Sequence, residues 1–378
     1  MEKFLFYTSD NYHDHSLTGG NKRYIEILYS LIDNGEEVFL LAPQDIYLPK
    51  KEYFQILPIK PRKSEILPNG LLNFLLNRKA FKRAKKLNID RTVLFSFPYG
   101  IQGALAGLPD IVLFLREDFF EYKKYSHASK ITVLKPVSKS LFRLLERFTL
   151  KKARQIIVQC NYDKQAIISR HRKLQPSIEQ KIRVLPNNVN PSWIAKNNVE
   201  KTRSNKEGTY VYEIAFVGNV DNYRKGLHVL LKAMEKLIRK KYPVKLNVIG
   251  SGQLIEKYRL KYLNAEQIDF HGRKDEPMKH LAEQDLLVVP SLADSFPNTV
   301  LEGLYMEIPV IGSQRGGIPE ILKYEELLFE PEEEALFAKI AGIIDENLFE
   351  SYKQLCMQRK DALTFDWGAE VRKLLKPE

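Results

Sequence analysis

The chain has 378 residues, 44% of them hydrophobic and 28% charged, with a formal net charge of +12. That length suits two domains, each able to bury its own core, and the absence of any apolar run near the roughly 18 residues of a spanning helix excludes an integral helical membrane protein. The positive excess lies in the first 200 residues and the remainder is slightly acidic, so an anionic surface or polymer is expected to face the first half. Cys160 and Cys356 stand far apart without metal-ligand spacing and read as buried free thiols in a reducing compartment. The N-terminal Met1-Glu-Lys-Phe-Leu-Phe-Tyr-Thr8 lacks a cleavage-site pattern, so no signal peptide and a cytoplasmic location are expected.

Taken in order, Phe4–Thr8 reads as a strand, Thr18-Gly19-Gly20 opens a helix with Ile25, Leu28, Leu31 and Ile32 on one face, and Val38–Ala42 is the next strand. This unit begins a Rossmann-like domain. A glycine pair at a helix opening lets backbone approach an anion, although it equally makes a tight turn. Residues 43–91 hold a Pro-rich link, then apolar residues at 71, 72, 75 and 76 and a cationic run, Arg78–Lys86. Together they suggest one amphipathic basic helix, either an ordinary solvated face or an attachment to an anionic membrane leaflet. No zinc-finger, RNA-binding or helix-turn-helix signature accompanies the charge, so nucleic acid is not an expected partner.

Thr92–Phe97 and Ile111–Leu115 are two further buried strands, and the second ends in Arg116-Glu117-Asp118, at the edge where open α/β sheets bind ligands. His127 reads as a surface-loop histidine. A basic helix over about 138–154, the strand Gln155–Cys160 and the segment Lys181–Val189 complete a first domain of residues 1–190, and the polar stretch 190–209 reads as a linker.

The second domain, 210–363, opens with Glu213-Ile-Ala-Phe-Val-Gly218 and Asn219, then Arg224-Lys225-Gly226 before a helix bearing Leu227, Leu230, Leu231 and Met234. Cations beside glycine at a helix mouth suit phosphate. Val244–Gly250 and Ile268–Arg273 are further strand-to-turn segments, with His271 expected to be packed in its strand. The strand Asp285–Pro290 leads through Asp294 to Pro297, expected at the first helical position, and Val300, Leu301, Leu304 and Ile308 give the helix its core face. Glu302 then lies about 7 Å beyond the helix start. Two carboxylates thus flank backbone N–H groups that favour an anion. The matching ligand carries hydroxyls at both ends and phosphate between them, as a nucleotide sugar does. A strand, Ile308–Gly312, and a glycine-rich turn, Arg315–Glu320, follow.

The acids Asp294 and Glu302 eight positions apart, the Ile308-Pro-Val strand, the Gly316-Gly317-x-x-Glu320 turn, Thr18-Gly19-Gly20 and the Pro186-Asn187-Asn188-Val189 segment together resemble the retaining glycosyltransferases of family GT4. The likeness runs from about residue 4 to 372. It implies the GT-B fold, an α/β architecture of two Rossmann-like parallel-sheet domains facing across a cleft, with the final helix (364–378) crossing back to the first domain and Trp367 packing there. It also implies a UDP-sugar donor held mainly by the second domain. On that resemblance Glu302 meets the ribose and Asp294, where glutamate is more usual, holds the transferred sugar. Lys225, Arg224, the helix start at Asn298, Thr299 and Val300, and Gly19 with Gly20 stabilise the departing diphosphate. Gly218 and Asn219 border the donor, Asn219 standing where the family often has arginine, and Arg273 neighbours base or ribose. Arg116 or Glu117 falls where many members have a histidine. Asn188 replaces a glycine and is expected to take its left-handed turn.

The same resemblance implies attack from the face the leaving group departs, and neither cofactor nor metal, cations and helix dipoles serving instead; no DxD carboxylate pair is present. The expected partners are the donor, a glycan or lipid-linked acceptor in bacterial envelope or capsule polysaccharide synthesis, and an anionic membrane surface. A GT-B nucleotide-sugar epimerase and a non-catalytic polyanion binder are the alternatives.

Overall fold

A computed structural model describes residues 1–9, 19–46, 48, 51–62, 69–124, 135–189, 210–274 and 277–376. The chain divides into two compact units, one of Met1–Phe119, Ala128–Pro186 and Asp366–Glu378, the other of Phe120–His127 and Asn187–Phe365. The 190–209 linker and His127 fall outside the described residues.

The first unit holds a parallel sheet of seven strands: β1 (Lys3–Tyr7), β2 (Glu37–Pro43), β3 (Phe54–Ile59), β4 (Arg91–Phe95), β5 (Ile111–Leu115), β6 (Gln155–Val158) and β7 (Ile182–Val184). Their order is β3-β2-β1-β4-β5-β6-β7. The central strands are continuous apolar runs, such as Phe4-Leu-Phe-Tyr7 and Ile111-Val-Leu-Phe-Leu115, buried throughout. That is what a parallel sheet covered by helices on both faces requires. The helix Phe97–Ala106 lies so close to the sheet that a Cβ at Gly103 would stand 2.3 Å from Leu94 Cδ1.

Between β3 and β4 the single basic helix expected over 71–86 is two helices, Asn69–Leu76 and Arg78–Lys85. Buried Asn73 and Asn77 explain the break. Each side-chain amide makes a pair of hydrogen bonds to the backbone of the β3 exit, Asn73 to Arg62 and Asn77 to Lys60, taking the place of a strand ladder. The helix Lys135–Lys152 begins three residues before the expected start.

The helix Trp367–Leu375 belongs to this unit and packs on the helix Gly19–Asp33. Asp366 caps it by accepting the Ala369 amide, and Arg372 donates to Ser30 Oγ. Trp367 is 4% exposed, its ring lying 4.9 Å from the guanidinium carbon of Arg23.

The second unit holds six parallel strands: β8 (Tyr212–Val217), β9 (Val244–Ile249), β10 (Ile268–Gly272), β11 (Leu286–Val289), β12 (Val310–Ser313) and β13 (Leu328–Phe329), ordered β10-β9-β8-β11-β12-β13. In each sheet the winding direction reverses beside the first strand, between β1 and β4 and between β8 and β11. Those are the places where open α/β sheets leave a crevice at the strands' carboxyl ends.

The Asn187-Asn188-Val189 segment lies in the second unit, and Asn188 is not in the left-handed region expected of it. It is 3% exposed and its side-chain amide donates to the Phe365 carbonyl at 2.6 Å, while the Val189 amide donates to Leu363. Asparagine thus serves here through its side chain and not through its backbone freedom.

Replacing Trp367 by Ala empties a buried aromatic site and is expected to destabilise the first unit by about 3–5 kcal/mol, read as a shifted urea midpoint; a shift worth under 1 kcal/mol would show that the terminal helix does not share its core.

Candidate functional site

In the second unit the loops after β8 and β11 meet at the switch point because glycines let their backbones touch. Gly226 (φ +74°) lies against Pro290, where a Cβ would come within 1.8 Å of the carbonyl oxygen. Gly316 (φ +62°) is as close to the Asp294 carbonyl, at 1.9 Å, and the Gly317 amide donates to that same oxygen. A Cβ at Gly250 would stand 1.8 Å from the carbonyl of Gly218. No other residue type fits these contacts, which pull four strand exits into one small region.

That closeness brings Arg224, Lys225 and Asp294 together, 69 residues apart in sequence for the pair Lys225–Asp294. Lys225 Nζ is 2.6 Å from Asp294 Oδ2, with side-chain exposures of 22% and 12%. Arg224 does not present its charge at the mouth of the helix Leu227–Arg239. It is buried, its Nη1 donating to the Ala293 carbonyl at 2.8 Å and lying 3.6 Å from Asp294 Oδ1, while its own carbonyl accepts the Leu292 amide. Arg224 therefore fixes the loop that carries Asp294.

Pro297 is the residue before the helix Asn298–Tyr305 and not its first member. Its extended ψ turns its carbonyl to accept the Val300 amide at 3.1 Å. Val300 is wholly buried, with Leu301 and Leu304, as the core face. The amides of Asn298 and Thr299 are left at the helix mouth, where no intrahelical acceptor reaches. Asn298 is oriented by Asn187, whose amide donates to Asn298 Oδ1 and to the Phe296 carbonyl. Glu302, half-buried, follows about 6 Å along the helix from Asn298.

Around this centre Asn219 is exposed and closes an Asx turn by accepting the Asp221 amide. Asp221 in turn accepts the Gln253 and Leu254 amides, holding the loop after β9 against the loop after β8. Arg273 is exposed just past β10. His271 is half-buried, bonded through Nε2 to Asn247 Oδ1 at 2.7 Å, and burial lowers its pKa.

In the first unit, Gly19 and Gly20 are the first residues of the helix Gly19–Asp33; Thr18 lies outside the described residues. A residue that sequence reasoning did not single out sits at the start of that helix's second turn. Arg23 is fully buried, pairs with Glu26 at 3.1 Å and has Trp367 over it. Burial brings its pKa down to about 10, the attraction of Glu26 acting against this and nearby Arg116 adding to it. The available signal was position: Arg23 precedes buried Ile27 by one helical turn. Of the Arg116-Glu117-Asp118 run, Asp118 is structural, accepting Arg170 Nη1 at 2.9 Å; the same guanidinium holds Glu146, which also takes His171. Among the described residues no group of three or more His, Cys, Asp or Glu side chains is placed to hold a metal.

Comparison with known proteins places this geometry. Residues 212–346 match the family described as "Glycosyl transferases group 1". An uncharacterized glycosyltransferase of Methanocaldococcus jannaschii, MJ1607, is 30% identical over 159 residues, 39% of this chain and 40% of its own length. The chain thus spans about two fifths of that relative. The O-antigen biosynthesis glycosyltransferase WbnH of Escherichia coli is 24% identical over 89% of each chain. Among solved structures, sucrose-phosphate synthase from Thermosynechococcus elongatus superposes with a TM-score of 0.77 at 17% identity, covering 99% of this chain and 98% of that one. Anabaena HepE in complex with UDP-glucose gives 0.69 at 15% identity over 99% and 100%. The chain has the GT-B fold, and its residues 212–346 are similar to the group 1 glycosyl transferases.

Proposed function

We propose that this protein is a retaining glycosyltransferase that moves a sugar from a nucleotide sugar, UDP-linked, to a glycan or lipid-linked acceptor in envelope polysaccharide synthesis. The observation that carries the reading is the Lys225–Asp294 pair at 2.6 Å, set at the switch point beside the mouth of the helix that bears Glu302. An ammonium has three N–H donors, so Lys225 can keep Asp294 and still give two to a diphosphate. The Asn298 and Thr299 amides add partial positive charge on the same side. Both act on the oxygens where charge develops as the glycosidic bond breaks, the usual main lever of such catalysis. Glu302 takes ribose hydroxyls, Arg273 lies near the base, and Asp294 turns its remaining oxygen to the transferred sugar. Arg224 acts by holding the Asp294 loop. Gly218 and Gly250 keep the floor of the site free of side chains, and Gly19 with Gly20 opens a helix of the first unit whose backbone can approach an anion. The acceptor attacks from the face the diphosphate leaves, and no metal or cofactor takes part.

A UDP-sugar donor is favoured by the fold shared with HepE, solved with UDP-glucose, and an envelope polysaccharide by the likeness to WbnH. Attachment to an anionic leaflet is favoured by the surface of the helix pair 69–85. Leu75 and Leu76 are each 48% exposed there, next to exposed Arg78, Lys79, Lys82, Arg83, Lys85 and Lys86. No described helix is long and apolar enough to cross a membrane.

Thermal melting with UDP, GDP, ADP and their sugar conjugates tests the donor site. A ligand at a hundred times its dissociation constant adds about 2.7 kcal/mol of stability. A rise with the uridine set alone is expected; no rise with any of them contradicts the reading and favours a non-catalytic binder. For the membrane, each cation near an anionic surface contributes about 1 kcal/mol. Changing Lys79, Lys82, Arg83 and Lys86 to Gln is therefore expected to abolish sedimentation with phosphatidylglycerol vesicles, and unchanged sedimentation would remove this surface from the account.

A further inference from the structure

At the amino ends of β4 to β7, the edge opposite the strand exits discussed above, the first unit has a cavity of about 270 Å³. Among the described residues its wall gathers Arg91, Arg154, Lys181, Arg183, Lys373 and Lys376 with the carboxylate of Asp110. Four separate stretches of sequence supply these cations: the start of β4, the start of β6, the β7 segment and the terminal helix.

Asp110 is shared by Arg91 at 3.3 Å and Arg154 at 3.0 Å, Glu2 stands 3.8 Å from Arg91, and Glu370 holds Lys373 at 2.6 Å. Among the described residues, three carboxylates come within ion-pair distance of these six cations. Lys181 Nζ instead reaches neutral carbonyls, Ala153 at 2.8 Å and Lys151 at 3.1 Å, and burial lowers its pKa. Arg183 Nη1 donates to the Gln180 carbonyl. Arg91 is only 5% exposed. Cations converging on one concavity in this way raise the local potential and favour an anion with several acceptor oxygens. The volume lies just below the usual range for drug-sized ligands, roughly 300–1,000 Å³.

We propose that this cavity is a second anion site, apart from the donor site, that takes a compact phosphate-bearing ligand such as a diphosphate or a phosphorylated lipid headgroup. Nothing in the donor-site reading requires it, and either can fail alone.

The test is calorimetric titration of inorganic pyrophosphate into the full chain carrying Lys225→Ala, so that the proposed donor clamp does not compete. Saturable binding is expected, at least tenfold weaker when Arg183→Gln and Lys376→Gln are added. Displacement of the pyrophosphate by phosphatidate vesicles, and not by phosphatidylcholine vesicles, assigns the site to a lipid headgroup; retention in the presence of both assigns it to a free phosphate compound. Absence of saturable binding at millimolar pyrophosphate, or equal affinity in the Arg183/Lys376 variant, overturns the site. The melting shift given by the donor nucleotide is expected to be the same with and without the Arg183 and Lys376 changes in an otherwise wild-type chain, which shows that those changes leave the fold intact.

Discussion

The second unit depends on backbone touching backbone. Gly226 against Pro290, Gly316 against Asp294 and Gly250 against Gly218 each bring a carbonyl oxygen within 2 Å of where a Cβ would stand. Any side chain at these places would have to displace main chain, and two of the glycines also hold φ values that L residues rarely adopt. The reward for that restriction is a pair of opposite charges fixed to within hydrogen-bond distance from two different loops. A part-buried pair of that kind adds little net stability, since the cost of taking both charges out of water offsets their attraction. Its value is placement: the ammonium and the carboxylate are fixed ahead of the helix Asn298–Tyr305, where the proposed donor diphosphate would lie.

The first unit handles charge in another way. Arg23 is buried and held by Glu26 beneath Trp367, and Arg170 ties Asp118 and Glu146 with two further carboxylate contacts. Removing one partner of such a buried pair generally costs about 3–5 kcal/mol, so these groups stiffen the carboxyl edge of the first sheet. Arg23 also joins two parts of the chain far apart in sequence, since the ring over it comes from the terminal helix. The amino edge of the same sheet has another character: among the described residues, six cations line one cavity there.

Much of this was legible in the sequence. Strands buried on both faces must be continuous apolar runs, so β5, β8, β9 and β11 stood out, and the glycine turns after them marked where backbone approaches backbone. The acid pair at 294 and 302 could be placed on a loop and a helix from proline and leucine spacing alone. What failed was whatever depends on a side chain's direction. Arg224 and Lys225 are adjacent cations in sequence, and only the fold shows that one turns inward to Ala293 while the other meets Asp294. Asn188 looked like a stand-in for a flexible glycine, yet its amide is what the structure uses. Nothing in the sequence around Asn73 and Asn77 signals the β3 exit that their amides bond. The amino-edge cavity could not be read at all, because Arg91, Lys181 and Lys376 meet only through tertiary structure.

The measurement closest to the central claim is a double-mutant cycle on nucleoside-diphosphate affinity, comparing the wild type with Lys225→Met, Asp294→Asn and both, by titration calorimetry. If Asp294 works by holding Lys225 against the diphosphate, the two changes couple by about 1 kcal/mol or more, and Asp294→Asn has little effect once Lys225 is gone. Losses that add to within about 0.5 kcal/mol would show that the two side chains act independently, and would contradict the account.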